Sequence, residues 1–458
     1  MLIGKSIDQI HQAYKDKEIS PTELTRMHLN RIAMVNPGLN AYLTITEEKA
    51  FLHAQSAESL FAAGSPTTAL TGIPVSYKDL FDSSGIRTTY GSAHFREHVP
   101  AVNAKALHQF TKAGAVMTGK TNLHEYAFGI TSNNPHYGAV RNPWNHIYIA
   151  GGSSGGSAAA TAAGLSLVSL GTDTGGSIRI PASMCGVIGL KPTFGLLSTE
   201  GVMPLSWHLD HVGPIARTVS DAAIALEVLL SKTIPEWRSQ DLRGIRIGIP
   251  TNYFNHQVSA EVAEKYQSAI AQFQDLGAVL LDVEVPFDET LVPALMTIAV
   301  AEAGYVHRNR IETALDLFGD DVRQALAGAS EISASSYIAA LRKQEDIKNR
   351  FNQLFDGVDL IITPTLPALP QRIGASQLEL NGEQQDLFQT MTRFTSPLNA
   401  TGNPALSLPC GVSESGLPVG IQLIGRWHGE GRVLQAARAY EEAALSRFYK
   451  LRDAVCLL

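Results

Sequence analysis

The chain has 458 residues, 45% of them hydrophobic and 17% charged, with a formal net charge of −7. That hydrophobic share excludes wholesale disorder, and the length exceeds one ordinary domain while staying within reach of a large single-core enzyme. The negative balance, with no Lys/Arg cluster to track phosphates, argues against nucleic acid as an obligatory partner.

No apolar run reaches the ~18 residues of a membrane span, so no membrane association is expected. Cys185, Cys410 and Cys456 are too few and too scattered for a disulfide framework. The first residues pass straight into an amphipathic helix without a signal-peptide core. These features predict a cytoplasmic protein in a reducing compartment.

In chain order, residues 6–17 and 21–35 read as amphipathic helices, and the second opens on the capping-box pattern Ser20-Pro21-Thr22-Glu23. Residues 41–46 read as a strand and 47–63 as a helix. From about 70 to 215, short β-branched runs alternate with helical patterns across glycine-rich turns. That alternation predicts an α/β fold, with a mixed central sheet covered by helices on both faces. A capped helix follows over 218–231, then a strand at 244–250 and a helix at 259–276. Residues 286–355 are helical, more charged and poor in glycine, and read as a peripheral segment covering one side of the site. The sheet resumes at 359–365 and closes with strands at 404–412 and 418–425.

Three stretches carry chemistry. The strand-like run from Leu165 to Leu170 leads into Gly171-Thr172-Asp173-Thr174-Gly175-Gly176-Ser177. Glycine backbones permit close approach of a ligand, and successive N–H groups in such a turn converge on an anion. A serine beside them supplies the nucleophile that acyl transfer needs. A second Gly-Ser loop, Gly151-Gly152-Ser153-Ser154-Gly155-Gly156-Ser157, precedes an alanine-rich run suited to a closely packed helix. Upstream, Lys78 ends a short apolar strand, where a solvated charge would be commonplace.

The order Lys, Ser, Ser and the two loops together resemble the amidase signature family. The resemblance extends through Gly186 to Thr193, His211 to Pro214, Asn403 to Ala405 and Gly420 to Leu423. It implies one amidase domain over 1–458, with an N-terminal helical region at 1–65, the signature core at 66–235 and the helical segment at 286–355. It also implies that Lys78, Ser153 and Ser177 form a Ser–cisSer–Lys triad, with a cis peptide before Ser153. Ser177 would attack the amide, Ser153 would relay the proton, and Lys78 would serve as base, kept neutral by burial among Ile73, Val75 and the glycine loops. Backbone N–H groups of Thr174, Gly175, Gly176 and Ser177 would hold the oxyanion. Arg179 is expected to tie the loop to Asp173 through its fork of donors.

Other motifs are weaker. Gly151-x-Ser153-x-Gly155 also satisfies the nucleophile elbow of α/β-hydrolases, with Ser153 as nucleophile, but leaves Lys78 and the second loop without a task. His124-Glu125-Tyr126-Ala127-Phe128 lacks the second histidine of a zinc-protease helix, so no metal and no cofactor are expected.

The resemblance includes a branch formed by the glutaminase subunit of a tRNA-dependent amidotransferase. The arginine that branch uses for the glutamine carboxylate falls on Gln324 or Ala325, and a shift of one residue would bring Arg323 there. Its aspartate falls on Thr392. These departures favour a free-standing hydrolase of a small amide. The alternatives are a carbamoyl-compound hydrolase and the glutaminase subunit. Arg393, beside Thr392, is assigned to an anionic group on the substrate. The expected partner is therefore a small-molecule amide, and a homodimer is left open.

Overall fold

In the computed structural model, which describes residues 2–457, the glycine-rich run after Leu170 continues the strand before it. The chain contributes eleven strands to one sheet: β1 Tyr42–Ile45, β2 Pro74–Lys78, β3 Val116–Thr121, β4 Val168–Asp173, β5 Ile188–Lys191 and β6 His211–Ala216, then β7 Arg246–Pro250, β8 Val279–Val283, β9 Leu360–Pro364, β10 Ala405–Val412 and β11 Pro418–Gly425. Their spatial order is β1-β3-β2-β4-β6-β5-β10-β11-β9-β7-β8. β2 runs parallel to both β3 and β4, and β7 lies parallel between β8 and β9. The strands between β4 and β9 pair antiparallel, so the sheet is mixed.

Alternation along the strands feeds two cores. In β3, Val116 packs with the alanines of the helix Gly155–Ala162 on one face, while Met117 joins the opposite core with Ala222, Leu226 and Leu434. The fold is thus α/β, with helices on both faces of the sheet. The Ser20 capping box forms, with Ser20 and Glu23 exchanging side-chain-to-backbone bonds at the start of the helix Pro21–Leu39.

The helical segment consists of Leu291–Thr313, Asp320–Ala327 and Ala334–Gln353. Leu295, Ile298 and Ala299 of the first helix pack with Ile347 and Phe351 of the last, and this cluster includes Phe394 and Leu398. Several elements have no counterpart in the sequence reading, among them β8 at the sheet edge, the hairpin Gln377–Leu380 with Glu383–Asp386, and the C-terminal helices Glu430–Ala444 and Ser446–Cys456. β8 reads Val-Leu-Leu-Asp-Val and is largely open to solvent, so no apolar alternation marks it.

The alanine-rich helix sits unusually close to its neighbours because its first turn is glycine. A Cβ on Gly156 would lie 2.3 Å from Asn122 O and 2.6 Å from both Ala41 O and Asn122 N, all backbone atoms with little freedom to move. Gly156→Ala is expected to cost at least about 1–3 kcal/mol of stability by this overpacking, read as a lower urea midpoint at unchanged m-value. An unchanged midpoint would mean that the helix can slide away at no cost.

Candidate active site

β2 and β4 are adjacent and parallel, so Lys78 and Asp173 emerge at the same edge of the sheet. The Lys78 side chain is fully buried. Its Nζ donates to Ser153 Oγ and to Thr172 Oγ1, each at 2.7 Å, and it forms no ion pair among the described residues. Burial disfavours the ammonium and outweighs the attraction of Asp210 and Asp173, so its pKa falls to about 7.

The Gly152–Ser153 peptide is cis. The Ser153 carbonyl accepts from His124 N–H at 3.1 Å and from Ser132 Oγ at 3.2 Å, which fixes the loop before the helix. Ser154 fastens the two loops together: its N–H donates to the Ser177 carbonyl at 3.2 Å and its Oγ to the Thr172 carbonyl at 3.1 Å. Ser177 is 5% exposed and lines a cavity. The expected contact between Ser153 Oγ and Ser177 Oγ is not among the hydrogen bonds, so Lys78 and Ser153 meet directly while Ser177 is joined to them through the backbone of Ser154.

The loop bearing Ser177 is wrapped around one carboxylate. Asp173 Oδ1 accepts from Gly176 N–H at 2.9 Å, and Oδ2 from Ile178 N–H at 3.1 Å. Arg179 grips both oxygens, with Nε at 3.0 Å and Nη2 at 2.9 Å. Burial alone would raise the Asp173 pKa, but the Arg179 guanidinium outweighs it and holds the carboxyl well below the usual range. Asn399 donates to the Asp173 carbonyl and to Oδ1, each at 2.9 Å, and Gln422 accepts from Arg179 at 3.2 Å. The expected structural task of Arg179 is therefore met.

This arrangement removes Gly176 from the expected set of oxyanion donors, because its N–H is engaged by Asp173. The N–H groups of Thr174, Gly175 and Ser177 take no partner among the described residues. Two side chains hold the loop from outside: Thr174 Oγ1 donates to Asp210 at 2.6 Å, and Thr395 Oγ1 donates to the Gly175 carbonyl at 2.6 Å.

The cavity at Ser177 is walled chiefly by Phe128, Ile130, Leu295, Met296 and Phe388, and no charged side chain among the described residues lines it. Thr392 lines it, its hydroxyl donating to the Phe388 carbonyl at 2.8 Å. Arg393 does not. It lines an adjoining cleft with Glu289, lies over the Phe394 ring and donates to the carbonyls of His256 and Gln257 at 2.8 and 2.7 Å. Gln324 and Ala325 line a further cleft, where His124 Nε2 lies 2.7 Å from Asp321. Arg323 pairs with Asp320 at 2.5 Å and lines none of these cavities.

The Amidase family model matches residues 23–434. The chain belongs to the amidase signature family. One curated relative of this amidase, a glutamyl-tRNA(Gln) amidotransferase subunit from Thermoanaerobacter pseudethanolicus, is 37% identical, with 96% of this chain and 97% of the relative covered. Among solved structures, a chain from a vestigial protein complex tied to the origins of an s-triazine catabolic enzyme matches with a TM-score of 0.92 at 32% identity, covering 96% of this chain and all of that one. A bacterial aryl acylamidase of the amidase signature family matches with a TM-score of 0.90 at 29% identity, covering 98% of this chain and 99% of that one. Enzymes of this family hydrolyse amide C–N bonds.

The nucleophile-elbow reading does not fit this amidase. The strand before Ser153, Asn145–Ile149, belongs to a separate two-stranded sheet with Arg141–Asn142, and Ser153 points to a lysine. His211 is occupied elsewhere, its Nδ1 lying 2.7 Å from the Leu209 carbonyl and its Nε2 3.2 Å from Lys191.

Sequence reasoning missed Thr172, Asp210, Thr395, Ser396 and Asn399 as parts of the site. Thr172 stood inside the organising loop and Asp210 beside a quoted motif, so both were within reach. Thr395, Ser396 and Asn399 come from some two hundred residues downstream, with no local motif.

Arg179→Ala would leave the Asp173 carboxylate buried and largely uncompensated. The expected loss is about 3–5 kcal/mol, measured by urea unfolding. A loss below about 1 kcal/mol would show that the loop is held by its packing alone.

Proposed function

We propose that the amidase cleaves its substrate through an acyl-enzyme on Ser177, with Ser153 as proton relay and Lys78 as base. One observation carries this reading: a buried lysine without a carboxylate partner among the described residues, 2.7 Å from a serine hydroxyl, with its pKa brought to about 7. A large share of Lys78 is then neutral near pH 7 and accepts the Ser153 proton as Ser153 accepts that of Ser177. Ser177 Oγ attacks the amide carbon, and the carbonyl oxygen gathers the negative charge against the free N–H groups of Thr174, Gly175 and Ser177. The proton returns along the same path to the leaving nitrogen. Water then enters by the reverse route and releases the acid. The link between Ser153 and Ser177, open here, is of the kind that tightens when substrate binds.

The comparisons support the glutaminase-subunit reading better than the free-standing hydrolase, because a curated amidotransferase relative matches nearly end to end. On this reading glutamine is the amide, and the released ammonia passes to a partner protein in a reducing, cytoplasmic setting. One observation favours the free-standing hydrolase as a second reading. The cavity at Ser177 has no charged side chain among the described residues for the carboxylate or ammonium of glutamine. Ammonia release from L-glutamine, propionamide, benzamide and carbamoyl acids, by the purified chain with and without amidotransferase partner proteins, separates the two. Robust glutaminase activity raised by the partners supports the first, and turnover of propionamide or benzamide without glutamine turnover supports the second.

For the chemistry itself, Ser177→Ala should abolish turnover and labelling by a fluorophosphonate, and labelling of Ser153 instead would overturn the assignment. Lys78→Ala should lose about 10²–10⁴-fold in rate. Because the neutral amine is the active form, kcat/KM should rise with pH through about 7 in the wild type. A profile flat across that range would remove Lys78 as the base.

A further inference from the structure

The wall of the Ser177 cavity holds one buried side-chain oxygen that no described residue satisfies. Ser396 is 6% exposed and lines the cavity, yet its Oγ has no hydrogen-bond partner among the described residues. The threonine hydroxyls around it all donate their protons: Thr174 to Asp210, Thr392 to the Phe388 carbonyl, and Thr395 to the Gly175 carbonyl. The acceptor a serine in this position would ordinarily reach is the carbonyl four residues back, on Thr392. That oxygen already receives Ser396 N–H at 2.9 Å, Thr395 N–H at 3.1 Å and Thr395 Oγ1 at 3.3 Å. Burying a hydroxyl without a partner is unfavourable, and such a group in a native cavity calls for an explanation.

Its position supplies one. A Cβ built on Gly175 would meet the Ser396 Cβ at 3.8 Å, so Ser396 flanks the loop whose free N–H groups face the reacting carbonyl. A bound carboxamide has an oxygen and N–H groups to satisfy. The loop donates to the oxygen, but those same N–H groups cannot accept from the nitrogen. In a cavity whose other walls are mostly apolar, Ser396 Oγ is the buried hydroxyl, apart from the nucleophile, that makes no hydrogen bond among the described residues, so its lone pairs are free to accept.

We infer that Ser396 is a specificity-determining residue whose hydroxyl accepts a hydrogen bond from the N–H of the scissile amide, so that the site selects amides over the corresponding esters. An ester has an oxygen where the amide has N–H, so it offers the Ser396 lone pairs no donor and its O–H only a weak acceptor, and a site built to bond an N–H discriminates against an analogue without one. The inference rests on acyl transfer at Ser177 but not on which amide is the natural substrate.

The test compares kcat/KM for L-glutamine with L-glutamic acid 5-methyl ester, and for propionamide with methyl propionate, in wild type and Ser396→Ala. In whichever pair is turned over, the amide-to-ester ratio should fall about tenfold in Ser396→Ala through loss on the amide alone. Ser396→Cys keeps the side chain but offers only a weak acceptor. It should show the same fall, and it carries the test if the alanine protein does not fold. Ser396→Thr should keep the wild-type ratio. A ratio unchanged in Ser396→Ala or Ser396→Cys, or an equal fall on amide and ester, overturns the inference. Failure of a fluorophosphonate to label wild-type Ser177 would instead remove the acyl-enzyme reading and this one with it.

Discussion

The interaction on which the site depends is the buried pair of Asp173 and Arg179. A carboxylate taken out of water needs a partner that compensates its charge and donors that satisfy its remaining lone pairs. Here Arg179 supplies the charge, and the N–H groups of Gly176 and Ile178 with the Asn399 amide supply the donors. Because the two N–H donors belong to the loop itself, satisfying the carboxylate and shaping the loop are one event. The cost appears at Gly176, whose φ of +130° and whose 2.2 Å gap from a would-be Cβ to Thr395 Oγ1 leave no room for a side chain.

Lys78 lies in the same buried layer under the opposite rule. Asp173 has an ionic partner and stays charged, whereas Lys78 has, among the described residues, only the hydroxyls of Ser153 and Thr172 and gives up its proton readily. The low dielectric penalises both ions, and the partner decides which of them survives. A carboxylate within reach of Lys78 would keep it cationic and useless as a base. The spacing that keeps Asp173 and Asp210 out of ion-pair contact with Lys78 is thus as much a part of the site as the contacts are.

How much of this was legible in the sequence depended on whether the information is local. The loops at 151–157 and 171–177 announce themselves, because close backbone approach requires glycine at particular positions. The strand ending on Lys78 could be read from its apolar residues, although whether the lysine was buried or solvated could not. β8 stayed hidden since an exposed edge strand needs no apolar alternation. The engagement of Gly176 by Asp173 was equally hidden, because N–H groups in a glycine turn look alike until the carboxylate chooses among them. The 395–399 segment carries no local motif, and only the folded chain brings it against the loop.

That division separates chemistry from selectivity within the fold. Lys78 ends β2, Ser153 lies in the loop just before the alanine-rich helix, and Ser177 lies in the loop that follows β4. The cavity lined by Ser177 is closed by Leu295 and Met296 from the helix Leu291–Thr313 and by Phe388 and Ser396 from the stretch before β10. These walls touch the cavity without carrying the charges that hold the loop. A substitution at Met296 or Phe388 changes the shape of the Ser177 cavity and leaves the Asp173 pair and the Lys78 environment in place. The same sheet can therefore serve amides of different size and polarity. The departures at Gln324 and Thr392 from the glutaminase pattern fall in such walls, in the outer cleft and in the Ser177 cavity, and not among the residues that hold Asp173 or Lys78.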